Sequence, residues 1–459
     1  MKHSKADVHG KATTALKLRF ETQALTSYSG LILFQHFFAQ MSLKERLRGC
    51  FRHLKVSPIY GHHVIMMLLV VHLVLGHRRL RDLEYYRDDE MVKRVLGLKR
   101  LPDVATVSRA LASADERSVQ KVREASTSMV LERLGEEKLA RVTLDFDGSV
   151  QSTGRRAEGT AVGFNKKKKG ERSYYPLFCT VAQTDQVLDV HHRSGNVHDS
   201  NGAETFMAHC VGRVREQLGA LTIESRIDSA FFNETITNTL HSADVSFTIS
   251  VPFERFAELK TMVEGRKRWH TLDEGLSFFE TQWKPKSWSS RYRFLFIRKR
   301  VLRQYKAPIQ LDLFIPREHD YDYKVIVTNK TVAPGAVVAF HEGRGSQEGI
   351  FAELKTGCQM DYIPVTTEVG NRLYRSAAIL AHNLSRELQM KLNPRHRRTT
   401  PKRAALWCFS ELETLRRTLI QRAGRVLRPA GKLILSMDSN ERLECELTHY
   451  IKTLQNCAA

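Results

Sequence analysis

Arg141-Val-Thr-Leu-Asp-Phe-Asp-Gly-Ser149 decides how the chain is read. Val142, Leu144 and Phe146 alternate with Thr143, Asp145 and Asp147, and a period of two marks a half-buried β-strand. The run ends on Asp147, and Gly148 allows a sharp turn or a close approach to a ligand. Side chains at strand ends in α/β sheets border the crevice where ligands bind. Asp145 lies on the same face two residues earlier and is an equal candidate at this point.

Upstream the period is helical. Tyr60–Leu75 and Ser118–Leu134 space their apolar residues three and four apart, so residues 1–140 read as a helical region. Within it, Gly76-His-Arg-Arg-Leu-Arg81 is a basic turn. In Leu101-Pro-Asp-Val-Ala-Thr-Val-Ser-Arg-Ala110 a proline-marked break precedes a short helix offering Thr106, Ser108 and Arg109. Helix-turn-helix units present side chains to a DNA groove in this way, and ordinary helical bundles share the pattern.

Downstream, strands are expected at Leu177–Ala182, Val187–His192 and Leu221–Ile227, with a helix at Ala203–Leu218, which suggests an α/β layer. Asp228 follows Ile227 and repeats the arrangement of Asp147; capping the next helix is the other use for an aspartate there. Five more strands are expected at Phe247–Val251, Ser277–Gln282, Arg291–Arg298, Gln310–Ile315 and Tyr323–Thr328. The acidic helix that completes the carboxylate set lies beyond them, so this segment reads as an insertion. The tail opens with Arg395-His-Arg-Arg398 and Lys402-Arg403 and then returns to helix.

The acidic helix is His341-Glu-Gly-Arg-Gly-Ser-Gln-Glu-Gly-Ile-Phe-Ala-Glu-Leu-Lys355. Arg344, Glu348 and Lys355 fall on one narrow stripe, a spacing that a surface salt-bridge ladder shares. Ile350, Phe351 and Leu354 can anchor the helix, and Glu353 reads as solvated. Asp147, Asp228 and Glu348 thus place three carboxylates on two strands and a helix, the set that two-metal phosphoryl transfer with Mg²⁺ or Mn²⁺ requires. Histidine and cysteine at zinc spacing are absent. Arg344 and Lys355 would hold phosphates of the scissile strand.

Composition points the same way. The 459 residues carry 72 Lys and Arg against 50 Asp and Glu, a net charge of +22, and nucleic acid is the commonest partner of such an excess. At 42% hydrophobic and 27% charged residues the chain is globular, with length for two to four domains. Its seven cysteines include no Cys-x-x-Cys pair, which excludes a zinc ribbon and fits a reducing cytoplasm. No apolar core follows the N-terminal charge, so no signal peptide is expected. Val64–Leu75 is broken by His72 and is too short to span a bilayer, so no membrane partner is expected.

Taken in order, these motifs resemble the DDE transposases of bacterial insertion sequences, α/β proteins with a ribonuclease H-like core interrupted by a β-strand-rich insertion before the catalytic glutamate. Asp147-Gly-Ser149 resembles the first aspartate motif, Gly195-Asn-Val-His-Asp199 the turn before the second, and Arg226-Ile-Asp-Ser-Ala-Phe-Phe232 the second aspartate strand. Tyr323-Lys-Val-Ile-Val-Thr-Asn329 resembles the strand before the glutamate helix, and Ala381-His-Asn-Leu384 the helix that closes the core. His341, Arg344, Glu348 and Lys355 match a Tyr-Arg-Glu-Lys spacing, with histidine in place of tyrosine. Upstream, Arg81-Asp-Leu-Glu84 through Leu101-Pro102 and Ser108-Arg109 resemble the family's N-terminal region, so the likeness spans roughly residues 60 to 390.

The resemblance implies Asp147, Asp228 and Glu348 as catalytic metal ligands for Mg²⁺ or Mn²⁺, with Arg344, Lys355, His341 and Arg109 on DNA. Trp288 (or Trp283), set among Lys284, Lys286 and Arg291, would stack on a flipped base; ordinary core packing is the competing use of both tryptophans. It implies a helical DNA-binding region at 1–140, a core at 141–245 and 331–393, an insertion at 246–330 and a helical C-terminal region at 394–459. The expected partners are double-stranded DNA, as terminal inverted repeats and target, and a second copy of the chain in the DNA complex. The expected place is the bacterial cytoplasm, at the nucleoid. A metal-dependent nuclease without strand joining, and a non-catalytic DNA-binding relative, are the other readings.

Overall fold

Helical periodicity in the first third of the chain is matched by helix α1 at His62–Val74, α2 at Val104–Ala112 and α3 at Glu116–Glu137. The structure is a computed structural model that describes residues 17–21, 23–55, 59–163, 165, 168–301 and 321–456. α1 is buried on every side from Val64 to Val74, as its unbroken apolar sequence requires. Asp103 and Asp115 set the starts of α2 and α3, accepting the amides of Thr106 and Ser118 at helix ends that otherwise leave donors unpaired.

The period of two then builds one mixed sheet of nine strands. They are β1 (Arg141–Gly148), β2 (Leu177–Val181), β3 (Gln186–His191), β4 (Thr222–Ile227), β5 (Val245–Val251), β6 (His270–Asp273), β7 (Leu276–Trp283), β8 (Tyr292–Arg300) and β9 (Tyr321–Thr328). Their order across the sheet is β6-β7-β8-β9-β5-β4-β1-β2-β3. β1 pairs parallel with β4, and β4 with β5, while β2 and β3 run antiparallel.

Alternation sorts the two faces of this sheet. Val142, Leu144, Phe146, Ile223, Ile227 and Phe247 point to an apolar layer shared with Phe206, Met207 and Val211 of helix α4 (Ala203–Leu218) and Ile236 of α5 (Glu234–Ser242). The other face is polar and is covered by α6 (Pro334–Glu342), α7 (Ser346–Thr356) and a stretch of the 394–411 segment. β1 is therefore buried on both faces rather than half-buried, with Thr143 at 0% and Asp145 at 1% exposure. Ion pairs make this burial tolerable, since buried charges persist when paired and hydrogen-bonded. Glu224 of β4 is the clearest case. Burial alone would push its carboxyl up, but hydrogen bonds from Arg403 and Lys330 hold it down at about 2.

The strands expected as an insertion do not form a layer of their own. β9 pairs antiparallel with β5, Val325 opposite Val251 and Thr328 opposite Thr248, so β6–β9 continue the same sheet. The strand expected at Gln310–Ile315 lies outside the described residues. So do Lys166, Lys167, the first residues of the chain and Cys457.

Helix α8 (Glu368–Leu392) is buried along almost its whole length and packs on α1 and α3. An ion pair between Arg133 of α3 and Glu387 fixes it there. The tail, read from sequence as helical, also contains a hairpin, Gly424–Leu427 with Ile434–Met437, that pairs with Leu25–Thr26. Two four-residue strands carry too little alternation to announce themselves. The final helix, Glu441–Asn456, packs against Leu31–Gln40. Cys50, Cys179, Cys210 and Cys358 are buried and unbridged, and no helix among the described residues is long and apolar enough to cross a membrane.

Candidate active site

β1 and β4 lie parallel and in register, with Phe146 opposite Ile227. The next residues, Asp147 and Asp228, therefore leave matching ends of neighbouring strands, which run about 4.8 Å apart. Each carboxylate accepts the amide of the residue after it, Gly148 and Ser229, at 2.7 Å. Asp228 thereby starts the short 3₁₀ turn Ser229–Phe231, so it caps a turn and borders the crevice at once. The nearest cation is Arg344, whose Nη1 lies 3.6 Å from Asp147 Oδ2.

Burial pushes the Asp147 carboxyl up to about 7, against the pull of Arg344 and the Gly148 amide, and the charges of Asp228 and Asp199 add to the rise. An acid held above its unfolded value gives stability that is whole below that value, 3.8, and is lost as pH rises through about 7. In chelator, the Asp147→Asn protein should therefore melt above wild type at about pH 8. The gap should narrow steadily as pH falls from about 7 towards 5; a gap independent of pH in a melting series would refute this account.

Asp145 has a different job. Arg226, with no exposed surface, donates Nε to Asp145 Oδ1 at 2.7 Å and Nη2 to Oδ2. Nη1 of Arg226 donates to the Lys402 carbonyl, and the guanidinium lies over the Phe340 ring. Both oxygens of Asp145 are thus engaged below the crevice, while Asp147 stands at its edge. Sequence periodicity alone could not separate the two.

α6 and α7 are joined by a tight 3₁₀ turn at Gly343–Gly345, and Glu348 lies in the first turn of α7, one turn beyond Arg344. Glu348 is exposed. Among the described residues no three His, Cys, Asp or Glu side chains converge closely enough to hold a metal. Lys355 is in the last turn of α7, partly buried. Arg109 is exposed on α2 and its guanidinium leans back onto Ala105 and Thr106.

Several residues have partners within the chain that their sequence positions do not announce. His341 is 1% exposed, with Nδ1 2.9 Å from Thr248 Oγ1 and Nε2 2.8 Å from Ser250 Oγ, so it packs α6 on β5. Burial, then the charges of Lys324, Arg344 and Arg226, hold its pKa well below the usual range, so the ring is neutral. Trp288 stacks on Phe232 at 4.8 Å and Trp283 donates to Glu258, both in the core. Glu353, far from solvated, pairs with Arg386 and accepts the Leu412 amide at 3.0 Å, tying α7 to α8 and the tail.

Other residues at the site had no role assigned from sequence. Gln347 donates to the Asp145 carbonyl at 3.0 Å and fastens α7 to β1. Tyr175 and Asp199 come up against Asp147 and Gly148 from a separate part of the chain. Asp199 was visible in a motif; Tyr175 carried no local signal.

The donors at the crevice are carboxylate oxygens, a set that suits a hard divalent cation better than zinc. The profile of the family described as transposase DDE domain, group 1, matches residues 8–459. Among solved structures the chain is similar to a piggyBac transposase synaptic complex with hairpin DNA. Identity there is 12% over 85% of this chain and 79% of that one, with a TM-score of 0.37. It is also similar to a pre-cleavage Mos1 transpososome at 10% identity, covering 37% of this chain and 57% of that one, TM-score 0.17. A Mos1 transposase paired-end complex with the left transposon end matches at 9% identity over 42% and 59% of the two chains, TM-score 0.17. No curated protein matches.

Proposed function

This chain belongs to the transposase DDE domain family, group 1, and from that premise we propose that it cleaves DNA at the ends of a mobile element and joins the freed ends to target DNA. The observation that carries the reading is the pair Asp147 and Asp228 at in-register ends of parallel strands, with Arg344 held against Asp147. Asp147 and Asp228 would hold Mg²⁺ or Mn²⁺, joined by Glu348 from the first turn of α7. When bound, such ions activate the attacking oxygen and stabilise the leaving one. Arg344 offers a planar fork for a phosphate, and Lys355 a point charge one helix length away.

The sequence β3-β2-β1-β4-β5 within the sheet supports a ribonuclease H-like core, with β6–β9 as the insertion that precedes Glu348. Helices α1 to α3 serve DNA binding in this reading. An open cleft of about 1060 Å³ there is bordered by Tyr60, Arg87, Arg100, Thr106 and Arg109. As a phosphate contact, Arg109 should act uniformly across sequences. Arg109→Ala should weaken binding of terminal-repeat DNA and lower the slope of log affinity against log salt by about one, measured by fluorescence anisotropy. An unchanged slope would remove Arg109 from the interface.

Two element ends must be held together for joining, which favours a homodimer on DNA. The deciding experiment supplies pre-cleaved ends, target DNA and Mg²⁺ and resolves the products on a gel. Joined strands support a transposase; cleavage of uncut ends without any joining would replace it with a nuclease.

A further inference from the structure

Behind Asp147 the chain places a glycine, and the reason is an aromatic ring. A β-carbon at Gly148 would lie 2.7 Å from Cε2 and Cζ of Tyr175, closer than side chains pack. Tyr175 comes from the turn before β2, where the Pro176 carbonyl accepts the Ser149 amide at 3.0 Å. The ring is thus pressed onto the backbone that carries Asp147.

Arg193, just after β3, holds the ring in place. Its carbonyl accepts the Tyr175 amide at 2.9 Å, and its Nε donates to the Tyr175 carbonyl at 3.1 Å. The guanidinium lies over the ring at 5.3 Å. Nη1 donates to the carbonyls of Asp199 at 2.8 Å, His198 at 3.3 Å and Asn201 at 3.4 Å, and Nη2 lies 3.7 Å from Asp199 Oδ1. Arg193 is 4% exposed, so a buried cation spends its donors on one turn and one tyrosine. The turn is seated tightly, since a β-carbon at Gly195 would collide with Ser173 Oγ and the Ala161 carbonyl. The result brings the Asp199 carboxylate within electrostatic reach of the Tyr175 hydroxyl and of Asp147.

We propose that Arg193 and Tyr175 form a positioning unit for Asp147. Arg193 fixes the 198–201 turn and backs the Tyr175 ring, and the ring pins Gly148 so that the Asp147 carboxylate is presented ready-formed to a divalent cation. The proposal rests on Asp147 being a metal ligand. Partners that orient a ligand in this way change metal affinity more than they change the fold, typically about 10- to 100-fold.

The test uses the full chain, with Mn²⁺ binding titrated by calorimetry in the absence of DNA and cleavage followed against Mn²⁺ concentration. Tyr175→Ala and Arg193→Met are expected to raise the half-saturating Mn²⁺ concentration about tenfold or more, with the rate at saturating Mn²⁺ returning towards wild type. Melting curves establish that each variant is folded, and if Arg193→Met does not fold, Tyr175→Ala decides. Wild-type Mn²⁺ affinity in a folded Tyr175→Ala protein overturns the proposal. If wild type binds Mn²⁺ and cleaves but Asp147→Ala binds Mn²⁺ as tightly, the assignment of Asp147 has failed, and this unit with it.

Discussion

Alanine at Asp147 or at Asp228 is expected to lower divalent-ion-dependent cleavage by about 10³-fold or more, with the affinity for terminal-repeat DNA nearly unchanged. The two carboxylates leave matching strand ends, and each already accepts the amide of its successor, so removing one deletes a preformed oxygen donor without disturbing the sheet. Glu348→Ala, at an exposed position in the first turn of α7, is expected to do the same. Cleavage of labelled element ends, paired with anisotropy for binding, reads both quantities. Full activity in the Glu348→Ala protein would leave the two aspartates without their third partner and would sink the mechanism. Losses of binding equal to the losses of cleavage would show that the variants had damaged the fold.

The second large effect is on stability. Arg226→Met would leave the Asp145 carboxylate buried at 1% exposure without its cation, and an orphaned buried charge costs about 3–5 kcal/mol. Urea unfolding followed by circular dichroism should show this as a lowered midpoint. Adding Asp145→Leu to Arg226→Met should recover much of the loss, because apolar pairs of similar volume often replace a buried ion pair at little cost. A loss under about 1 kcal/mol in the single variant would mean that Asp145 is solvated or protonated and that Arg226 is not its support. The contrast with Asp147 is one of sign: loss of the partner of Asp145 is expected to lower stability, whereas neutralising Asp147 is expected to raise it above about pH 7 and to abolish cleavage.

Much of the fold was legible because it is local. The alternation over Arg141–Asp147, the strands flanking the helix at Ala203–Leu218 and the placement of Asp147 and Asp228 at strand ends all follow from short-range pattern, and observed boundaries fall within a few residues. What escaped is non-local. Glu353 looks like a surface residue until Arg386, a helix away, is seen to claim it. His341 occupies a motif position but faces β5, because its two ring nitrogens find Thr248 and Ser250 there. Tyr175 and Arg193 meet Gly148 only through the pairing of β1 with β2 and of β2 with β3. The union of β9 with β5 depends on a register between strands far apart in the chain, and hydrophobic pattern does not encode which edge a strand will join.

That union has a mechanical meaning. β4 ends just before Asp228, β5 lies beside it, and β9 lies beside β5 before the chain passes through a short loop into α6, the turn that carries Arg344, and α7, which carries Glu348. β9 is therefore only two hydrogen-bonded strand spacings from β4. A hydrogen-bonded sheet shears poorly across its ladders, so strands β6–β9 behave less like a hinged flap than like a lever fixed to the bench on which Asp228 rests. A load applied at the far edge, at β6, would be felt at the spacing between Asp228 and the helix of Glu348.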